Sequence, residues 1–159
     1  MAAAAAGFVA VSCTERSAAP TATPTEPPVA AAPAFKKPVR MTGRGEVTTM
    51  SFERFFELHQ AGKILLFDAR PAYFHAQGHI PGAINLPKDD CDLRIHHNET
   101  AIKAALAEGN VIVVYCTNRL CPDARTVARH ISGFGYPAAI FSAGWEAWLE
   151  AGLPASSGG

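Results

Sequence analysis

The sequence predicts an α/β domain built on an open parallel sheet that is flanked by helices on both faces. Three short runs rich in aliphatic residues carry this prediction, at residues 63–70, 111–116 and 137–144. Segments with helical spacing of apolar residues alternate with these runs, as is typical of parallel sheets with crossover helices. With 159 residues, 48% of them hydrophobic, the chain can form one domain with a substantial core.

The predicted helices begin and end at residues with clear capping preferences. Ser51 is a good N-cap for the first helix and Gly62 ends it. Asn98 is the expected cap of a later helix, and Pro122 suits the first position of the helix after the central strand. A brief strand is expected around residues 83–85. The helices are predicted over residues 51–62, 71–77, 98–110, 122–135 and 144–152.

Residues 1–13 have the character of an export signal. They carry no charged side chain up to Cys13. The segment is too short to span a bilayer, which takes about 20 residues, but it suits the apolar part of a secretory signal. The sequence VAVSC resembles the lipobox of bacterial lipoproteins, and this resemblance implies lipidation at Cys13. No Lys or Arg follows Met1, and Ala10 stands where leucine is usual. We expect a cell-envelope or periplasmic location with a lipid anchor, the alternative being a cytoplasmic protein.

Residues 14–45 are rich in Pro, Ala and Thr, which predicts a disordered, extended tether. The folded domain is expected over 46–155, followed by a flexible tail at 156–159. The formal net charge is zero, and the short basic cluster at 36–44 is interpreted as a solvated part of the tether. We therefore expect no nucleic-acid partner, and a membrane contact only through the N-terminus.

Cys116 is the main candidate for chemistry. It ends the most apolar strand and lies six residues before Pro122, where a helix is expected to begin. The backbone amides of residues 117–121 and the helix N-terminus could converge above its sulfur, hold an anion and lower the thiol pKa. A buried structural cysteine is the alternative. The four cysteines match no zinc-binding spacing, so no metal is predicted.

Four segments occur in the order and spacing of the single-domain rhodaneses, a sulfurtransferase family: DAR at 68–70, GHIPGAINLP at 78–87, VVYC at 113–116 and AGWEAWLEAGLP at 143–154. The resemblance covers residues 51–154. It implies that Cys116 is a nucleophile that takes a sulfane sulfur from a thiosulfate-like or persulfide donor and carries it as a persulfide. The sulfur then passes to a small or protein thiol, or to cyanide, without a metal or organic cofactor.

The resemblance also implies roles for residues around Cys116. Asp68 and Arg70 are expected to orient the active loop from the next strand, and Trp145 to line the pocket. The usual arginine after the cysteine is replaced by Thr117, which puts thiosulfate as the physiological donor in question. The expected substrate-binding residues are Thr117, Asn118, Arg119, Leu120 and Cys121.

Other readings of the same residues stay open. Cys121 could resolve an intermediate on Cys116 by closing a disulfide, or it could be inert. A thiol–disulfide redox protein using both cysteines and a non-catalytic rhodanese-like binding module are the alternative functions. A phosphatase or arsenate reductase would need an arginine six positions after the cysteine, where Pro122 stands. The oligomeric state is not predicted.

Overall fold

The computed structural model describes residues 43–158. The predicted signal at 1–13, its Cys13 and all but the end of the predicted tether lie outside this range. The described chain forms a five-stranded parallel sheet with the strand order β1-β5-β4-β2-β3, which confirms the predicted α/β fold. The strands are β1 Val47–Met50, β2 Ile64–Asp68, β3 Ile84–Asn85, β4 Val111–Tyr115 and β5 Ala138–Phe141.

Within the described part of the chain, five α-helices cover the sheet. Alternate residues of the central strand β4 face opposite sides, so Val114 packs with α3 and α4 while Val113 packs with α1 and α5. Within residues 43–158, no helix combines the length and the apolar character needed to cross a membrane. The helices are α1 Phe52–Gln60, α2 Ala72–Gln77, α3 Cys91–Ala107, α4 Asp123–Gly133 and α5 Gly144–Glu150, with a 3-10 turn at Lys88–Asp90.

The first helix forms as its sequence predicts. The hydroxyl of Ser51 accepts a hydrogen bond from the backbone N–H of Arg54, and the chain leaves the helix through Gly62, which has a φ of 63°. Phe55 on its inner face is fully buried, and its ring stacks on that of Phe141 at 4.0 Å between centroids. This contact attaches α1 to the sheet beside the end of β5.

The strand β1 is absent from the sequence prediction. Among the described residues it is an edge strand that pairs with β5 alone, with Val47 opposite Ala138 and Met50 opposite Phe141. Val47, Thr48 and Thr49 are exposed and Met50 is only half-buried. An edge strand with so little burial lacks the apolar pattern by which strands are predicted.

The long helix α3 begins seven residues before the predicted cap at Asn98, so that prediction is wrong. Asn98 lies inside the helix, and its side-chain amide donates to the carbonyl oxygen of Arg94. The polar stretch before it is helical because Cys91 and Ile95, four residues apart, both reach the core. Pro122 likewise precedes α4 as its cap instead of occupying its first position.

The ends of the domain extend beyond the predicted limits. Gly45, assigned to the tether, donates its N–H to the carbonyl of Ser132. At the other end, Ser156 exchanges two backbone hydrogen bonds with His79, at 2.8 and 2.9 Å, and the N–H of Gly158 reaches the carbonyl of Ala76. The expected flexible tail is therefore bonded to the domain up to residue 158.

Candidate active site

The site predicted from the sequence lies at the carboxyl end of the central strand. Cys116 directly follows β4, which has β5 on one side and β2 on the other. Its side chain is on the α3 and α4 face of the sheet and is only 2% exposed. Such strand ends are where open α/β sheets place their chemistry.

Cys116 is joined to Cys121 by a disulfide bond, with 6.1 Å between the two Cα atoms. This distance lies in the ordinary range of protein disulfides. Cys121 is half-buried and packs against the same core cluster as Cys116. The structure thus brings together the two cysteines that the sequence singled out, in their oxidised form.

The backbone that follows Cys116 is held by the start of α5. The N–H groups of Trp145 and Glu146 donate to the carbonyl oxygens of Cys116 and Thr117, each at 2.9 Å. Gly144 makes this approach possible, because its φ is 72° and a Cβ there would overlap both carbonyl oxygens. Gly144 and Glu146 are site residues that the sequence analysis missed, since only their close approach to the loop reveals them.

The loop between the cysteines is organised by Asn118. Its side-chain oxygen accepts a hydrogen bond from the N–H of Leu120 at 3.0 Å, and its backbone oxygen accepts one from the N–H of Cys121 at 3.2 Å. Its side-chain amide donates to Glu146 at 2.8 Å. In the disulfide-bonded loop, the amides of residues 120 and 121 are therefore directed at Asn118 and do not form the anion cradle expected from the sequence.

The other loop residues are placed more peripherally. Thr117 is half-buried, whereas Arg119 is exposed and Leu120 is 91% exposed. The oxidised loop thus directs the Leu120 side chain to solvent. Substrate binding by residues 117–121 stays a prediction.

A buried polar network lies under the strand ends, centred on Asp68, which is fully buried. One of its carboxylate oxygens accepts hydrogen bonds from the Arg70 guanidinium at 2.7 Å and from the Tyr115 hydroxyl at 2.9 Å, and it lies 3.0 Å from Nδ1 of His75. Burial acts to lower the pKa of Arg70, but the hydrogen bonds and charge of Asp68 outweigh it and raise that pKa. The pKa of Tyr115 is raised, first by burial and then by the negative charge of Asp68.

Arg70 connects this network to the loop. Its guanidinium donates to the carbonyl oxygen of Gly78 at 2.7 Å and lies over the Trp145 ring, 4.7 Å from the centroid. Trp145 in turn holds Cys116 through its backbone N–H. Asp68 and Arg70 are therefore connected to the loop through Trp145, and their orienting role stays a prediction. That Trp145 lines a substrate pocket stays a prediction.

The GHI motif supplies structure around the same network. His79 is buried, Nδ1 of its ring lies 2.9 Å from the carbonyl oxygen of His75, and the two imidazole rings stack at 3.8 Å. The motif also supplies the N–H of Ile80, which donates to the Tyr115 hydroxyl. Tyr115 lies in the segment VVYC and His75 in the predicted helix at 71–77, but the sequence analysis gave neither a role, because their contacts with Asp68 arise only in the fold.

Two groups in the described chain each place three metal-ligating atoms within 4.8 Å of one another. In the group of Cys116, Cys121 and Asp123, two of the three atoms are the sulfurs that are bonded to each other. In the group of Cys91, Asp92 and His130, burial and then the charge of Asp92 raise the pKa of the Cys91 thiol, which disfavours the thiolate that a metal needs.

The family of the chain follows from its sequence over the same region. Residues 51–151 match the family model described as the Rhodanese-like domain. This match spans more than half of the chain, and it includes β2, β4, the loop between the cysteines and α5. The chain belongs to the rhodanese-like domain family.

The chain is also similar to part of a curated protein. An HTH-type transcriptional regulator of Mycobacterium tuberculosis is 35% identical over 102 residues, which are 62% of this chain and 40% of that protein. The chain thus spans well under half the length of this curated relative.

Solved structures share the fold. The BH2092 protein from Bacillus halodurans superimposes with a TM-score of 0.60 at 20% identity, covering 69% of this chain and 77% of that one. The human single-domain sulfurtransferase TSTD1 superimposes with a TM-score of 0.52 at 24% identity, covering 64% and 95%. At such identities the likeness concerns the fold.

Proposed function

We propose that this domain is a sulfurtransferase that carries a sulfane sulfur as a persulfide on Cys116. The observation that carries the proposal is the position of Cys116, at the end of the central strand and directly before the loop that leads into α4. Membership of the rhodanese-like family and the likeness to a single-domain sulfurtransferase support it. The active form in this proposal is the reduced one, since a disulfide-bonded Cys116 has no nucleophilic sulfur.

The reaction is a two-step covalent transfer. The Cys116 thiolate attacks the outer sulfur of a donor such as thiosulfate. The bond between the two donor sulfurs breaks, and sulfite leaves with the electron pair. The persulfide on Cys116 then gives its outer sulfur to a thiol or to cyanide, which restores the thiolate.

The proposal requires the loop to rearrange on reduction. A persulfide anion at Cys116 needs N–H donors, and two N–H groups of the loop, those of Leu120 and Cys121, are bonded to Asn118 in the oxidised form. Breaking the disulfide releases Cys121, whose N–H is one of these two donors. We expect the reduced loop to offer these amides to the anion, with a thiosulfate-like or persulfide donor as the substrate class.

The test is sulfur transfer to cyanide. Cys121→Ser, in which a persulfide on Cys116 has no second thiol in the loop to react with, should form thiocyanate from thiosulfate and cyanide above the uncatalysed rate. Adding Cys116→Ser to this variant should reduce thiocyanate formation to that background, whereas adding Cys91→Ala, which removes a buried thiol outside the loop between the cysteines, should keep it. Equal rates with and without Cys116→Ser, or no thiocyanate above the background, would contradict the proposal and favour a non-catalytic binding module.

The disulfide favours a second candidate, in which Cys116 and Cys121 cycle between dithiol and disulfide without carrying sulfur. The reduced chain would then reduce a small disulfide stoichiometrically in the absence of any sulfane donor. Location in the cell envelope with a lipid anchor at Cys13 remains a proposal from residues 1–45.

A further inference from the structure

We infer that Cys121 is the resolving residue for the sulfur on Cys116, so that the chain releases sulfide and ends each cycle with the disulfide seen in the structure. This inference rests on the proposed persulfide at Cys116 and adds what happens to it. The acceptor would be the chain's own second thiol, and the partner would be a dithiol reductant that resets the pair. The domain would then be a reductant-dependent, sulfide-releasing enzyme.

The geometry of the loop carries the inference. A resolving thiol must reach the sulfur that bears the persulfide, and here the two sulfurs are bonded with 6.1 Å between their Cα atoms. The closed loop holds four hydrogen bonds: Asn118 accepts two N–H groups, and the carbonyl oxygens of Cys116 and Thr117 each accept one from α5. The product of the proposed step is therefore a well-bonded state of this fold.

The chemistry balances without any further oxidant. The Cys121 thiolate attacks the Cys116 sulfur, a bond forms between the two cysteine sulfurs, and the bond to the outer sulfur breaks. The outer sulfur leaves with the electron pair and takes up a proton as hydrosulfide. The two thiols are oxidised to a disulfide, and the sulfane sulfur is reduced by the same two electrons.

The exposure of the two sulfur-bearing residues indicates how the pair is reset. Cys116 is 2% exposed, whereas Cys121 is half-buried, and its neighbour Leu120 is 91% exposed. An incoming thiol therefore reaches the sulfur of Cys121 first. Attack there leaves a mixed disulfide on Cys121 and frees Cys116 as the thiolate that the next cycle needs.

Single-turnover sulfur transfer tests the inference. The reduced full chain is freed of reductant and incubated with thiosulfate, and released sulfide and the modified cysteines are quantified by bimane trapping and peptide mass spectrometry. Wild type should release about one sulfide per chain, form the disulfide and stop until dithiothreitol is added. Cys121→Ser should keep the extra sulfur on Cys116 and release at least tenfold less sulfide. Cys91→Ala is the matched control, because it removes a thiol outside the loop and should behave as wild type.

The outcomes separate the two proposals. If wild type holds a persulfide as long as Cys121→Ser does, Cys121 is not the resolving residue, while the persulfide proposal stands. If Cys121→Ser takes up no sulfur on Cys116, the proposed function fails and the inference fails with it.

The order of reset is tested on the oxidised chain. Glutathione is added together with iodoacetamide, which alkylates the thiol that is freed. The glutathione adduct should lie on Cys121 and the alkyl group on Cys116. The reverse pattern would overturn the assignment of Cys121 as the reductant's point of attack.

Discussion

Asp68 shows how much of the site depends on one buried carboxylate. Its oxygens accept hydrogen bonds from Arg70 and Tyr115, and Arg70 continues the connection to Trp145. A buried charge is tolerated only where partners replace water, and here each partner also needs the carboxylate. The motif DAR therefore supplies a buried carboxylate and a guanidinium that connect β2, Tyr115 and Trp145.

Replacing Asp68 by Ala should destabilise the fold strongly. The change leaves the Arg70 guanidinium buried without its carboxylate, and loss of one member of a buried pair costs about 3–5 kcal/mol. Urea denaturation of the purified variant measures the loss.

The matched control for this prediction is Glu57→Ala. Glu57 lies on the exposed side of α1, with 67% of its side chain accessible, and it pairs with Arg54. An exposed pair of this kind contributes less than about 1 kcal/mol. A loss for Asp68→Ala as small as that of the control would show that the network does not support the fold.

At the level of elements, the site depends on the junction between β4, its loop and α5. The carbonyl oxygens of Cys116 and Thr117 accept hydrogen bonds from the first N–H groups of α5, and Gly144 allows the helix to approach the loop this closely. The helix therefore fixes the backbone at Cys116. We expect disturbances of this junction to change both stability and the closure of the disulfide.

Gly144→Ala should be more harmful than an alanine at another left-handed glycine. Gly62 has a φ of 63°, close to the 72° of Gly144, but a Cβ there meets nothing within 4 Å. Gly62→Ala should therefore cost only the conformational penalty, about 1–2 kcal/mol. Gly144→Ala should cost more and slow disulfide formation, as measured by urea unfolding and thiol titration. Equal losses for both variants would contradict the proposed role of the close approach.

For the whole molecule, the disulfide couples the redox state of the site to the stability of the domain. It closes a short loop, with a sequence separation of 5, between the central strand and α4. Restricting the unfolded chain in this way is expected to add about 2 kcal/mol of stability. The oxidised and reduced forms should therefore differ in their resistance to heat.

The reduced wild-type chain should melt several degrees below the oxidised chain when both are scanned by circular dichroism. The wild-type disulfide is reduced with a phosphine. The same phosphine should not change the melting temperature of Cys121→Ser, which cannot form the bond. A wild-type melting temperature that is equal in both redox states would show that the disulfide is energetically neutral.

The sequence by itself determined the class of fold, the central strands and the position of Cys116. The buried strands β2, β4 and β5 are continuous apolar runs, and α1 carries its own cap at Ser51. These signals are local, because burial and capping leave their pattern in consecutive residues. The family motifs of residues 51–154 lie on the same elements and led to the same domain.

Only the tertiary structure decided the features that depend on residues far apart in the chain. The edge strand β1 forms through its pairing with β5, some 90 residues later, and the start of α3 at Cys91 depends on what its side chains meet in the core. Three features of the site also depend on the fold. They are the Asp68 network, the approach of Gly144 to the loop, and the turn at Asn118 that binds the amides of residues 120 and 121. Such contacts have no periodicity in the sequence, because packing in three dimensions selects them.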